Sequence, residues 1–192
     1  MFRTITYLAA AIMLASSSGC GEASSGPKTD LMALGDSLTK ATFDTLSATL
    51  QKAIATAGFH GAVELCHTEA TGLTESFSDM QTNIRRTALR ARNEANQPDS
   101  LEYVQLKKFQ SMVDSGSVLS PLVMEDAFGN VHYFKPILLQ PLCLGCHGQP
   151  GSDINDPTLF VLGQLYPQDQ ATGYNTGDLR GMWHVTFSKH SR

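Results

Sequence analysis

The sequence predicts an α+β domain in which N-terminal helices precede an antiparallel sheet. Apolar residues recur at helical spacing in the first half, two short β-type runs follow, and a third β-type run closes the chain. The chain has 192 residues, 42% of them hydrophobic, which is enough for one domain with a sizeable core. Its net charge of −4 argues against a nucleic-acid partner, because nucleic-acid binders usually carry a basic face.

Residues 1–19 have the three parts of a secretory signal. Arg3 supplies the positive start, Ile5 to Leu14 the apolar stretch, and small residues follow. The apolar stretch is only half as long as a spanning helix, which needs about 20 residues. We therefore expect an exported chain that does not cross the membrane here.

The signal ends in Ser18-Gly19-Cys20, which resembles the end of a bacterial lipoprotein signal. The resemblance implies that Cys20 is lipidated and that the protein faces the periplasm from the outer membrane. The membrane is then reached only through the lipid anchor. Plain secretion after cleavage near Gly19 is the alternative. Residues 20–30 are polar and rich in helix breakers, and predict a flexible lipidated tether before a domain at residues 31–192.

The helices come first. Asp36-Ser37 offers a cap for an amphipathic helix that Gly58 ends. The segment Gly61–Gly72 predicts a second, short helix. A polar region rich in arginine and a turn at Asn93–Ser100 separate it from a third helix at Leu101–Val113.

The strands follow. Val118–Glu125 and Val131–Leu139 predict a hairpin with a four- or five-residue loop. A segment rich in proline and glycine comes next, and Met182–Phe187 predicts the last strand. Three glycines in this C-terminal part predict turns with positive φ: Gly173, Gly177 and Gly181.

The spacing of two C-terminal cysteines and the histidine after them indicates a specific kind of cofactor site. Residues 143–147 read Cys-Leu-Gly-Cys-His, the C-x-x-C-H pattern of covalent c-type haem attachment. Cys143 and Cys146 lie one helical turn apart, as two thiols must to add across the two porphyrin vinyl groups, and His147 reaches the iron as proximal ligand. Because such attachment occurs outside the cytoplasm, the export signal and the motif support each other. The sequence therefore predicts one covalent haem c.

A zinc site and a redox dithiol are the alternatives. Zinc needs further ligands at suitable spacing. A redox dithiol is expected between a strand and a long helix, whereas prolines and glycines flank this motif on both sides: Pro136, Pro141, Gly148, Pro150 and Gly151. This pattern is typical of a loop and favours haem.

The order of several motifs resembles the PAS-like c-type haem family, which often forms the extracytoplasmic sensor region of histidine kinases. The resemblance spans Leu31 to Phe187 and is carried by these residues: Arg85-Arg86-Thr87, Arg92-Asn93, Asn96, Pro98, Glu102, Tyr133-Phe134-Lys135-Pro136-Ile137, Cys143 to Gly148, Tyr166-Pro167, Asp169, Ala171, Gly173 and Gly177 to Gly181. It implies a PAS-like antiparallel sheet flanked by helices and holding one haem. With no kinase segment before Arg192, we expect a free-standing version.

The resemblance also implies a cysteine as the distal iron ligand, and Cys66 stands in that place. The residues favour the same assignment, since Cys66 is the thiol left over once lipid and porphyrin have taken the others. A thiolate would stabilise ferric iron. A buried, inert Cys66 is the alternative. His67 is the rival ligand, and Met182 and His184 are weaker ones.

Several arginines are candidates to pair with the haem propionates. Arg180 lies within the specific C-terminal motif, and its alternative is an ion pair with Asp178 or Asp169. Arg86 is the candidate from a cluster of four arginines. Each of the four could instead be a solvent-exposed charge: Arg85, Arg86, Arg90 and Arg92. Trp183 and Tyr174 are expected in the core or in the pocket wall.

Three functions compete. A sensor would respond to a redox change or to a diatomic gas that displaces Cys66. An electron carrier would exchange electrons with a redox partner protein without rearrangement. A peroxidase-like enzyme needs an open distal position and a proton-transferring base, which a protein-supplied sixth ligand disfavours.

Overall fold

A computed structural model describes residues 27–189 of the chain. Within that range, four helices and four strands confirm the α+β layout. None of these helices combines the length and the apolar character needed to cross a bilayer. The helices are α1 (Pro27–Glu75), α2 (Ser100–Asp114), α3 (Leu144–His147) and α4 (Asp156–Leu165), and the strands are β1 (Thr82–Thr87), β2 (Leu122–Glu125), β3 (Val131–Leu138) and β4 (Leu179–Phe187).

The four strands form one antiparallel sheet in the order β1-β4-β3-β2. One face packs against the first part of α1, where Ile84, Tyr133 and Val185 are fully buried. The other face packs against α2, whose Leu106 and Phe109 cover the sheet. The sheet thus separates two apolar layers, and β4 contributes to both.

Helix α1 starts earlier than the cap prediction, which was wrong. It begins at Pro27 and so includes the end of the predicted tether, whereas Asp36 lies inside it. The Asp36 carboxylate accepts hydrogen bonds from Tyr133 (2.7 Å) and from Lys135 (2.8 Å) on β3. Burial alone would raise the pKa of Asp36, but these hydrogen bonds and the Lys135 charge lower it. Asp36 therefore ties α1 to the sheet and caps nothing.

Gly58 divides α1 into two arms, which agrees with the prediction that a helix ends at this residue. Its φ of 69° and ψ of −174° are not helical, and glycine reaches them without strain. The helix then resumes and contains the predicted Gly61–Gly72 segment. The second arm packs Val63 against α4, next to Ile154 and Leu162. The break therefore turns the arm that carries Cys66 toward the C-terminal part of the domain.

Besides the single turn of α3, two elements of the fold are absent from the sequence prediction. Strand β1 lies in the polar region, where Ile84 and Thr87 are the buried residues and no apolar alternation marks a strand. Helix α4 lies in the proline- and glycine-rich segment, and Asn155 caps it by accepting from the Thr158 N–H at 3.0 Å, with Pro157 in its first turn.

The boundaries of the remaining elements lie closer to the predicted ones. Helix α2 and strand β3 lie within about one residue of their predicted limits. Residues 118–121 stay outside β2, so the hairpin's first strand is shorter than predicted. Strand β4 begins three residues earlier, at Leu179.

The glycine predictions are partly right. Gly173 and Gly177 have φ of 75° and 90°. The prediction for Gly181 was wrong, because it is a buried residue of β4 without positive φ. A Cβ at that position would lie 2.4 Å from the Thr87 carbonyl oxygen, so the position requires glycine for close strand approach.

Replacing Gly35 with alanine is expected to destabilise the domain. The new Cβ would lie 2.4 Å from Cγ of the buried Tyr133 ring, and overpacking of this kind costs about 1–3 kcal/mol. That loss exceeds the helix-propensity gain of up to about 1 kcal/mol. Urea unfolding measures the difference. Gly163→Ala on α4 is the control, since no atom other than the local backbone of α4 would lie within 4 Å of its Cβ. A Gly35→Ala variant as stable as wild type would contradict the expected clash.

Candidate functional site

A cleft of about 230 Å³ lies between the second arm of α1, the C-terminal end of β1 and the C-x-x-C-H segment. Five separate stretches of the sequence line it: 50–71, 86–96, 137–147, Tyr166 and Arg180-Gly181. Its walls contain seven residues that the sequence named as candidates for the site: Cys66, Arg86, Arg92, Cys143, Cys146, His147 and Arg180.

The C-x-x-C-H segment is more ordered than the predicted loop. A 3₁₀ turn at Pro141–Cys143 leads directly into the single turn of α3. Gly145 packs against the Phe59 ring, and a Cβ there would lie 2.3 Å from a ring carbon. Cys143 and Cys146 are free thiols, each partly buried. Burial raises the pKa of Cys146 to about 11. The segment therefore presents two reduced thiols one turn apart, held against α1.

His147 is held as a neutral imidazole. Its Nδ1–H donates to the Ala171 carbonyl at 2.7 Å. Burial, followed by the nearby charges of Arg180 and Arg92, lowers the pKa of His147 well below its usual value. Within residues 27–189, no hydrogen bond occupies Nε2. A neutral ring with Nδ1–H on a backbone carbonyl is the form in which histidine binds metals through Nε2.

Arg92 holds the two sides of this arrangement together. Its Nε pairs with the Asp169 carboxylate at 3.0 Å, and both side chains are about nine-tenths buried, at 12% and 11% exposure. Its Nη2 donates to the Cys146 carbonyl at 2.5 Å and to the Ala171 carbonyl at 3.3 Å. Asp169 in turn accepts from the Ala171 N–H at 2.7 Å. Arg92 thus positions both the thiol segment and the carbonyl that orients His147.

Replacing Arg92 with alanine is expected to cost about 3 kcal/mol of unfolding free energy, because a nearly buried carboxylate loses its partner. Denaturant unfolding measures the loss. Lys40→Ala is the matched control, since the Lys40–Asp44 ion pair is exposed and such pairs contribute less than about 1 kcal/mol. Equal losses of unfolding free energy in the two variants would show that the Arg92 network stabilises the fold no more than an exposed ion pair does.

Cys66 and His67 point to different surroundings. Cys66 is partly buried in the cleft wall; burial raises the pKa of its thiol, and the charges of Arg86 and Arg92 lower it. His67 is exposed and contacts the Tyr166 ring edge-on, with centroids 5.1 Å apart. Of the two neighbours, it is Cys66 that faces the cleft.

The two weaker rival ligands lie elsewhere, and their assignment as candidates was wrong. Met182 is fully buried beneath α2 with Leu106 and Phe109. His184 is hydrogen-bonded to Glu102 on the same face of the sheet. Successive residues of a strand alternate between faces, and these two point away from the layer that contacts α1.

Arg86 and Arg180 are cations of the cleft without a carboxylate partner among residues 27–189. Arg86 donates to the Ala70 carbonyl at 3.4 Å and lies over the buried Trp183 ring. Arg180 donates to the Arg90 carbonyl at 3.3 Å. Burial lowers the pKa of Arg180 to about 10 and lowers that of Arg86. Two desolvated guanidinium groups make the cleft suited to an anionic group.

The other arginines have structural partners. Arg85 donates to the carbonyls of Ala95 and Gln97. Arg90 donates to the carbonyls of Gln170 and Thr172, and its guanidinium lies 4.1 Å from the centre of the buried Tyr174 ring. The alternative ion pairs of Arg180 do not form, because Asp169 pairs with Arg92 and Asp178 accepts from the Asn175 N–H.

Fold and site together define an α+β domain with a four-stranded antiparallel sheet and a C-x-x-C-H cleft beside it. The chain belongs to the Tll0287-like family, whose model matches residues 24–188. Among solved structures, it is similar to the crystal structure of the cyanobacterial haem protein Tll0287, with 24% sequence identity and a TM-score of 0.54. The match covers 85% of this chain and 96% of that one. No curated protein matches the chain.

Proposed function

We propose that the protein is an exported monohaem protein of the c type. One observation carries this proposal: His147 is a neutral imidazole with Nε2 unoccupied, next to two free thiols one turn apart on the same cleft. That donor set fits a haem attached through two thioether bonds and bound by one imidazole. The similarity to a protein described as a haem protein supports it.

A zinc site fits these residues less well. Structural zinc needs four converging ligands. Among residues 27–189, no three cysteine, histidine or acidic side chains lie close enough to hold a metal ion. A haem differs from a bare ion in this respect, because the porphyrin supplies four ligands and the protein needs to add only axial ones.

In the proposed complex, Cys143 and Cys146 would attach the haem and His147 would be the proximal ligand. Cys66, on the second arm of α1, would supply the distal ligand. Arg86 and Arg180 pair with the propionates, as their lack of carboxylate partners favours. The bound haem would supply an iron that changes oxidation state and binds small ligands. The PAS-like character implied by the family resemblance belongs to this proposal.

The role that we propose is a redox or small-ligand sensor. Cys66 lies on a separate helical arm hinged at Gly58, so release of the thiolate from iron would free an element of the fold. The second candidate is a periplasmic electron carrier, for which two protein ligands on one cleft are equally suitable. CO binding to the ferrous protein separates the two roles. A sensor exchanges Cys66 for CO and changes shape in solution scattering, whereas a carrier retains both protein ligands.

The haem proposal is tested by a pyridine haemochrome spectrum and an intact mass of protein expressed with the haem-maturation machinery. The expected spectrum is that of a haem with both vinyl groups saturated, and the expected mass increase is one haem. Colourless protein with the mass of the polypeptide and its acyl groups would overturn the proposal.

We further propose that Cys20 is lipidated and anchors the protein to the outer membrane on its periplasmic side. Residues 1–26, where this assignment lies, are outside the described part of the chain. The support is the signal pattern that ends at Cys20. Radiolabelled palmitate should enter the wild-type protein and not a Cys20→Ser variant, and equal labelling of both would contradict the assignment.

A further inference from the structure

A chain of four titratable side chains, three of them buried and one half-buried, lies on the α2 side of the sheet, opposite the layer that contacts α1. It begins at Glu102 in the first turn of α2 and ends at Asp126 in the β2–β3 hairpin. Glu102 Oε1 lies 2.7 Å from His184 Nδ1, His184 Nε2 lies 2.9 Å from His132 Nδ1, and His132 Nε2 lies 3.2 Å from Asp126 Oδ2. None of the proposed haem contacts uses these residues.

Both terminal carboxylates are ionised. Burial alone would raise the pKa of Glu102, but hydrogen bonds from His184 and from the Asp99 N–H, together with the Arg85 charge, lower it. The pKa of Asp126 is lowered by the Asn130 side chain, and then by His132 and two backbone N–H groups. Neither carboxylate therefore supplies a proton to the chain of contacts.

The protonation state of the His132 and His184 rings follows from counting the protons that their contacts need. Three contacts link the four groups, and each needs one proton between its two atoms. Two neutral imidazoles bring only two protons. If both point their N–H at the carboxylates, two lone pairs face each other across the 2.9 Å contact between the rings. If His132 instead donates to His184, a lone pair faces the ionised Asp126 at 3.2 Å.

We propose that His132 and His184 form a proton-binding site that holds one proton beyond their neutral forms, shared between the rings and bridging Glu102 to Asp126. The bridged site carries one positive and two negative charges, and Arg85, 3.5 Å from Glu102, balances them. Both rings are buried, at 8% and 6% exposure. Water therefore does not readily replace a lost contact, and an unpaired ring nitrogen would cost free energy.

Described residues from four elements surround the two rings. From β4, the Thr186 hydroxyl lies 3.1 Å from His184 Nε2 and 3.4 Å from His132 Nδ1, where it can add one donor. From β3, the Phe134 ring stacks on His184. From α2, the buried Gln105 amide contacts the Met124 sulfur of β2. The charged residues at the two ends are Arg85 and Asp99 near Glu102, and Lys189, whose side chain passes Gly129 in the hairpin loop.

The site links the start of α2 to the hairpin across the sheet, so loss of the proton breaks one of the three contacts between them. Stability from this site therefore decreases as pH rises and the shared proton is lost. The contact between α2 and the hairpin is therefore expected to weaken as pH rises.

The test compares the pH dependence of urea unfolding in the mature protein between about pH 7.5 and about pH 8.5, where unfolded histidines are neutral. One proton bound only by the folded state raises the unfolding constant about tenfold per pH unit. His184→Gln should lose this slope, since an amide brings two N–H donors and completes the three contacts without the extra proton. His60→Gln, at an exposed histidine of α1, should retain it. Equal slopes in wild type and His184→Gln would overturn the proposal.

A second measurement does not depend on the variant folding. Ring ¹⁵N spectra of the reduced wild-type protein at about pH 7.5, above the usual imidazole range, count the protonated nitrogens of His132 and His184. Three protonated nitrogens are expected over the four positions. Two would contradict the shared proton, whether or not a haem is bound elsewhere in the domain.

Discussion

Replacing both Cys143 and Cys146 with serine is expected to leave the exported protein without a bound chromophore. The two thiols lie on consecutive turns of the 3₁₀–α3 segment, and neither forms a disulfide. Serine hydroxyls have nearly the same size but do not add to porphyrin vinyl groups, so the attachment is lost with little change in packing. The haemochrome absorbance per mole of protein measures the effect, and its expected value is below a tenth of wild type.

Cys66→Ser is the control for that experiment, because it removes a cleft thiol that the proposed thioether bonds do not use. It should retain covalent haem at the wild-type level. A serine double variant that remained coloured after denaturation would show that the haem is attached elsewhere. Far-UV circular dichroism of both variants distinguishes loss of haem from loss of the fold.

The motif was predictable because its chemistry is contiguous: five successive residues carry both thiols and the imidazole. The network that positions them was not. Arg92 was considered as a propionate partner, and its contacts to the Cys146 and Ala171 carbonyls join parts of the chain that are 54 and 79 residues apart. No local pattern in the sequence reports such a contact, although Asp169 and Ala171 lie in the motif order that carries the family resemblance.

The same distinction applies to the fold. Helix α2 has a complete local signal, since Asp99 and Glu102 form a reciprocal capping box. Strand β1 has none, because its burial is decided by pairing with β4 and not by its own polar residues. Asp36 shows how a local signal can mislead. It has the side chain of a helix cap, but its partners are Tyr133 and Lys135, almost a hundred residues further along the chain.

Replacing Cys66 with alanine is expected to raise the midpoint potential by more than about 0.1 V, within the range of roughly 0.8 V that axial ligands span. The proposed thiolate ligand would stabilise ferric iron, so its removal favours the ferrous form. The Soret band should shift in the ferric protein, because the thiolate no longer contributes to the ligand field. Spectroelectrochemical titration of the mature variant measures both quantities.

His67→Ala is the matched control, since it changes the adjacent residue of the same helical arm. His67 is exposed and contacts Tyr166, so its removal should leave the potential and the ferric spectrum close to wild type. The opposite pattern, with a large shift in His67→Ala and none in Cys66→Ala, would assign the distal position to the imidazole. It would also require the second arm of α1 to rotate by about 100°, the angle between successive helical residues, before iron could be bound.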